Sequence, residues 1–241
     1  MNYKSYLVEE NIESLKNKIF LFYGENEGLK KDFKTKIKSV NQEAIINNLT
    51  QDEILKNDNK LFEKVFNASL FGEEEIFFIE QVNDKILELI KELEIKIHNQ
   101  KIYFFAQILD KKSKLRSHFE KSKNLGIVAC YKDNELNLKK IILKKLSGYD
   151  GLIPENINLI INNCNLDRIK LNNELDKIQI YFNNKKIVKP ELEKLLNQTD
   201  NEDFDEIRDS AFSGNKDKIN KLLSDTFFSE DKIFFYLNNF N

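Results

Sequence analysis

Five short apolar runs, spaced through the first half of the chain, constrain its fold more than anything else in the sequence. They read "IFLFY" (19–23), "EAIINNL" (43–49), "EIFFIE" (75–80), "KIYFFAQIL" (101–109) and "LGIVACY" (125–131). Each is nearly continuously apolar and rich in aromatic or β-branched residues, which is the pattern of a strand buried on both faces. Helical periodicity fills the gaps. Leu29, Phe33, Ile37 and Val40 form one stripe. Ile86, Ile90, Leu93 and Ile97 form a second behind Asn83 as N-cap, and Leu115 with Phe119 marks a shorter helix. Strands alternating with helices imply a parallel sheet flanked by helices, an α/β domain expected over residues 1–135.

After Tyr131 the strand signal stops. "ELNLKKIILKKL" is amphipathic and ends at Gly148 and Gly151, while Pro154 and Pro190 each open a helix. Leu171, Leu175, Ile178 and Phe182 give another helical stripe. A small helical domain is expected over 136–199. The acidic "TDNEDFDE" (199–206) reads as a linker or helix start, and a third helical unit is expected over 200–241. The sequence stops at Asn241 inside an apolar helical pattern, so this last domain is expected to be incomplete.

A length of 241 residues and a hydrophobic share of 41% suffice for a buried core. The formal net charge is −2, so no global positive field draws the chain to nucleic acid or membrane. Cys130 and Cys164 are too few for a disulfide framework and read as small buried side chains. The start, "MNYKSYLVEEN", lacks a basic segment leading into an apolar one, and no apolar run approaches the ~18 residues of a membrane span. A cytoplasmic protein without membrane contact is expected.

The stretch "FLFYGENEGLKKDFKTKIKSV" (20–40) has the outline of a strand–loop–helix phosphate cradle. A working cradle reads GxxxxGK[ST], with a lysine on the β- and γ-phosphates and a hydroxyl on Mg²⁺. Here Gly24 and Gly28 enclose only "ENE", Leu29 follows Gly28, and Lys30, Lys31 and Asp32 come without a hydroxyl. Glu25 and Glu27 put carboxylates where a polyphosphate would sit, an unfavourable pairing of like charges. Glu80, at the end of a strand, stands where an ATPase keeps a Mg²⁺-organising acid. The loop of Gly24, Gly28 and Lys30 is therefore read as keeping the cradle's shape without its chemistry. No cofactor and no catalytic residue is expected. His98 and His118 are the only histidines, His98 is read as a surface residue, and neither a metal-ligand spacing nor a GxSxG elbow occurs.

A second informative stretch is "NKLFEKVFNASLFGEEEIFFIE" (59–80). Leu61, Phe62, Val65 and Phe66 repeat as a helix face, then Asn67, Ala68 and Ser69 lead to Leu70, Phe71 and Gly72. On periodicity alone, two large apolar residues at a helix-to-strand junction fold back onto the core. The alternative is a projecting Leu–Phe pair that fills a pocket on a partner.

Taken in order, these segments resemble the delta subunit of the bacterial DNA polymerase III clamp loader. "FLFYGENEGL" is similar to that family's vestigial nucleotide loop, and "NASLFGEEEIFFIE" to its Ser-Leu-Phe clamp-binding segment with the strand that follows. "LDKKSKLRSHFEKSKNLGIVACYKDN" (109–134) resembles the helix-then-strand passage closing the first domain. "NLDRIKLNNELDKIQIYF" (165–182) resembles the Asn-Glu-Leu helix of the second. The resemblance implies an AAA+-like α/β domain with a vestigial P-loop, a small helical lid and a helical collar that is truncated here. It also implies a non-catalytic subunit. Leu70 and Phe71, presented by Ser69 and Gly72, would bind the sliding clamp, the beta subunit of the holoenzyme. Its other partners would be the gamma/tau ATPase and delta-prime subunits, with DNA reached indirectly through the assembly.

The competing readings are an active P-loop ATPase, a delta-prime-like or ATPase subunit of the same loader, and a stand-alone structural module. Delta-prime and the ATPase subunit carry a zinc-binding cysteine cluster and a Ser-Arg-Cys finger. Neither is here, and "LRSH" (115–118) has the wrong order. The lysines 111, 112, 114, 139, 140, 144 and 145 are expected to form solvated helix faces, with phosphate contact as the alternative.

Overall fold

The computed structural model describes residues 1–56, 74–97, 100–196 and 209–225. The chain divides into two compact units. One is Met1–Asn137 with Leu166–Lys170, and the other is Leu138–Asn165 with Leu171–Asn241. In chain order the strands are β1 (Asn2–Tyr3), β2 (Ile19–Tyr23), β3 (Ile45–Thr50), β4 (Glu75–Glu80), β5 (Lys101–Ala106) and β6 (Leu125–Ala129). The helices are α1 (Ser5–Glu10), α2 (Glu27–Val40), α3 (Gln51–Lys56), α4 (Leu87–Lys96), α5 (Lys114–Lys121), α6 (Glu135–Lys145), α7 (Pro154–Cys164), α8 (Arg168–Tyr181), α9 (Lys189–Leu195) and α10 (Lys216–Asp225).

The first unit is built on a six-stranded sheet in the order β1-β6-β2-β5-β4-β3. Every pairing is parallel, with Leu21 of β2 opposite Phe104 of β5 and Ile127 of β6. Successive side chains of a strand point to opposite faces. Ile19, Leu21 and Tyr23 therefore join Ile90, Leu93, Leu115 and Phe119 from α4 and α5 on one face. Phe20 and Phe22 join Leu29, Phe33 and Ile37 from α2, with Val8 of α1, on the other. Both faces are covered, which is why β2 reads as an unbroken apolar run. Aromatic stacking reinforces the second face, with Phe22 over Phe105 at 5.2 Å and Phe20 over Tyr103 at 5.6 Å. Full burial of each such side chain is worth roughly 1.5–3 kcal/mol.

Several sequence expectations change. β3 is not buried on both faces: it is the edge strand, and Ile45 is exposed. Val40 also faces solvent, because the apolar stripe of α2 outlasts the sheet it packs on. Asn83 caps a 3₁₀ turn, Asp84–Ile86, through the Lys85 amide at 3.1 Å, and α4 begins only at Leu87. β1 was not expected: it adds to the sheet beside β6.

Among the described residues, the second unit is helical apart from an isolated bridge between Asp150 and Lys186. Leu138, Ile142, Ile157, Ile160, Leu171, Leu175, Ile178, Phe182 and Leu192 form its core with Cys164. Pro154 sits in the first turn of α7, where its missing N–H removes no helical bond, and Asn165 ends that helix in the left-handed region at φ 48°. Among the described residues no helix is long and apolar enough to cross a membrane.

Candidate functional site

In an open parallel sheet, ligands gather beyond the carboxyl ends of the strands, where the strand order reverses direction. Here the chain leaves β2, runs outward to β3, returns through β4 and β5, and then crosses β2 to form β6. The crevice at the ends of β2, β5 and β6 is thus the place topology assigns to a ligand. The loop with Gly24, Gly28 and Lys30 lies there, at the end of β2 and the start of α2.

Gly24 turns the chain at φ 132°, and a Cβ on it would fall 2.2 Å from the Cys130 carbonyl oxygen. Its amide donates to the Gln107 carbonyl at 3.1 Å, and the Asn26 amide donates to Cys130 O at 3.0 Å. Asn26 then caps α2, accepting from the Leu29 amide at 2.9 Å. Its Nδ2 donates to Tyr131 O at 3.0 Å and to Asp133 Oδ2 at 2.8 Å. Glu25 turns outward and accepts from the Lys132 amide at 3.3 Å. At the N-terminus of α2, which in a phosphate cradle faces the anion, the Asn26 side chain takes the Leu29 amide.

Lys30 is buried, and its ammonium donates to three acceptors: Glu27 Oε1 at 2.6 Å, Ala106 O at 2.8 Å and Gly24 O at 3.0 Å. An ammonium has three N–H donors. All three are matched within the protein. Glu27, read from the sequence as an obstacle to phosphate, is here the partner of Lys30. Glu80 pairs with Lys34 at the sheet's surface. Among the described residues no cluster of three or more His, Cys, Asp or Glu side chains is placed to hold a metal ion.

Beside the loop lies a group that sequence reasoning did not single out. Arg168, whose side chain is 1% exposed, grips Asp133 with two bonds, Nε to Oδ2 and Nη2 to Oδ1, both 2.8 Å. Nη1 reaches Glu9 Oε1 at 2.6 Å and Asp32 Oδ2 at 3.4 Å. Burial disfavours the guanidinium's charge, but the bonds to Asp133 and Glu9 outweigh it, and its pKa is raised. Arg168 also explains Gly28: a Cβ there would lie 2.7 Å from Arg168 Cβ. The one visible clue was that Arg168 is one of three arginines in a chain that otherwise uses lysine. Arginine suits a buried forked grip on carboxylates, and lysine does not.

The structure thus brings Gly24, in the loop after β2, together with Gly28 and Lys30, in the first turn of α2. Ser69, Leu70, Phe71, Gly72 and His98 lie outside the described residues. Cys130 and Cys164 are both buried, and burial pushes the Cys130 thiol up to about 12.

Among solved structures, the chain is similar to the Bacillus subtilis DNA clamp loader delta protein, with a TM-score of 0.59 and 12% sequence identity. That match covers 93% of this chain and 73% of the other. A point variant of Thermotoga maritima RuvB is similar with a TM-score of 0.49 and 16% identity, over 80% of this chain and 66% of the other. No protein-family model matches the sequence, and no curated protein matches it. The first likeness is one of fold: this chain shares the α/β architecture of the clamp loader delta protein.

Proposed function

We propose that this chain is a non-hydrolysing, delta-type subunit of a bacterial clamp loader. It binds the ring-shaped sliding clamp through Leu70 and Phe71, presented by Ser69 and Gly72, and helps spring the ring for loading onto primed DNA. Its other partners are the ATPase and delta-prime subunits, with its C-terminal helical segment contributing to a collar. The lid and collar are taken as residues 136–199 and 200–241. The fold likeness and the order of the sequence segments support the family. The observation that carries the non-hydrolysing half is Lys30, whose three donors are held by Gly24, Glu27 and Ala106. A γ-phosphate arriving there would have to displace all three, and it would meet Glu27.

A subunit without its own nucleotide acts by differential affinity. If the clamp interface equilibrates between closed and sprung states, a ligand that prefers the sprung form shifts the population by that preference and no more. Burying a leucine and a phenylalanine is worth roughly 1.5–3 kcal/mol each, enough to anchor the encounter, with the surrounding surface contributing the rest. Nucleotide control then belongs to the partner ATPases, which expose or hide this surface. The test is capture of the cognate clamp by the purified chain without nucleotide, repeated with Leu70→Ala/Phe71→Ala. The proposal expects capture by the first and none by the second, with unchanged folding. A double variant that fails to fold would instead place the pair in the core.

A further inference from the structure

We propose that Lys101 is a positioning residue for the clamp contact: through Glu74 it holds the base of the segment that carries Leu70 and Phe71. The inference rests on the reading of that pair as the clamp-binding element. Glu74 stands two residues after Gly72 and immediately before β4, so it is the residue at which that segment returns to the sheet.

β5 is apolar from Ile102 to Ala106, and Lys101 at its first position is the exception. Its ammonium reaches Glu74 Oε1 at 2.7 Å and donates to Asn41 Oδ1 at 3.3 Å. Asn41 is itself fixed as the C-cap of α2: its amide donates to Lys38 O at 3.3 Å and its Nδ2 to Ile37 O at 2.7 Å. On the other side, the Glu74 carbonyl accepts from the amide of Ile45, the first residue of β3, at 3.0 Å. The next carboxylate, Glu75, accepts from Asn47 Nδ2 at 3.1 Å. Glu74 is thus held by its backbone on β3 and by its side chain on β5, with Lys101 braced against the end of α2.

The sequence shows why such a hold matters. Glu73, Glu74 and Glu75 are consecutive carboxylates, and like charges this close repel one another. Lys91–Glu88 and Lys96–Glu92 each brace a single helix, whereas Lys101–Glu74 ties β5 to the foot of the binding segment. The Lys101 side chain is 35% exposed and that of Glu74 47%, so the pair contributes little to global stability. A local equilibrium is more easily moved. When only a fraction of a binding segment's conformations is competent, the affinity falls by that fraction. Lys101 therefore acts on the competent fraction and leaves the fold as it is. Loss of that fraction slows productive encounter, while loss of a direct contact speeds dissociation.

The experiment is surface plasmon resonance of the full chain over an immobilised bacterial sliding clamp without nucleotide, with a thermal melt of every variant. The variants are Lys101→Met, Lys101→Arg, Glu74→Gln and the double Lys101→Met/Glu74→Gln. Lys101→Met and Glu74→Gln should each associate about threefold to fivefold more slowly than wild type, with dissociation and melting unchanged. Lys101→Arg, which keeps the charge, should restore the wild-type rate. The double variant should lose no more than either single one, because both act through one pair. Wild-type association in Lys101→Met, faster dissociation, losses that add in the double variant, or a loss that follows a lowered melt would overturn the proposal and leave the clamp reading in place. A wild type that does not bind the clamp would remove that reading, and this proposal with it.

Discussion

Arg168 and Asp133 face each other through two parallel hydrogen bonds of 2.8 Å, a forked pair buried beside the loop that follows β2. Glu9 of α1 and Asp32 of α2 reach the same guanidinium. One side chain therefore ties together four segments far apart in sequence. Taking a partner from a buried ion pair leaves uncompensated charge, which costs about 3–5 kcal/mol. Arg168→Met should lower the unfolding free energy of the first unit by that order, and Arg168→Lys should recover only part of it. Urea denaturation followed by tyrosine fluorescence measures both. A midpoint unmoved in Arg168→Met would mean that the carboxylates relax to solvent without loss.

Lys30→Met tests the loop separately. The variant leaves the Gly24 and Ala106 carbonyls and the Glu27 carboxylate without their donor, and the penalty should be about 1–3 kcal/mol. Calorimetric titration with Mg·ATP should show no saturable heat in either the wild type or the variant. Saturable binding by the wild type would overturn the reading of Lys30 as internally committed.

Much of this was legible in the sequence, for physical reasons that vary by element. β2, and β5 after Lys101, are covered on both faces, so their side chains are apolar without a break, as in Ile19–Tyr23. β3 at the edge mixes polar and apolar residues because one margin meets solvent, and β1 has two residues, too few to show a period. The missing hydroxyl after Lys30 and the carboxylates of Glu25 and Glu27 could be seen directly. That Ala106, at the end of a different strand, accepts from Lys30 could not. Arg168 was hidden for the same reason: its partners at positions 9, 32 and 133 come together only through the fold.

The start of α5 carries a pH dependence. Bonds from Ser113 Oγ and the Leu115 amide hold the Asp84 carboxyl below the usual aspartate range. A depressed folded-state pKa contributes stability above the unfolded value of about 3.9 and loses it as pH falls through the lower folded value. Asp84→Asn should therefore be less stable than wild type at neutral pH, and the gap should close as the solution is acidified below about pH 4. Thermal melts across that range provide the check. A gap independent of pH would mean that the bonds to Asp84 act without its charge.

The cysteines give a probe of native packing. The Cys130 thiol, pushed up to about 12 by burial, has almost no thiolate near neutral pH, and Cys164 is buried as well. A thiol-specific reagent should modify neither in the folded protein and both in denaturant. Rapid labelling of Cys130 in the native state would mean that the end of β6 opens readily.

The most direct test of the proposed function is calorimetric titration of the purified chain with a bacterial sliding clamp in the absence of nucleotide. The predicted result is saturable binding that vanishes in Leu70→Ala/Phe71→Ala while the thermal melt of that variant is unchanged. No binding by the wild type, or binding that survives the double substitution, would contradict it.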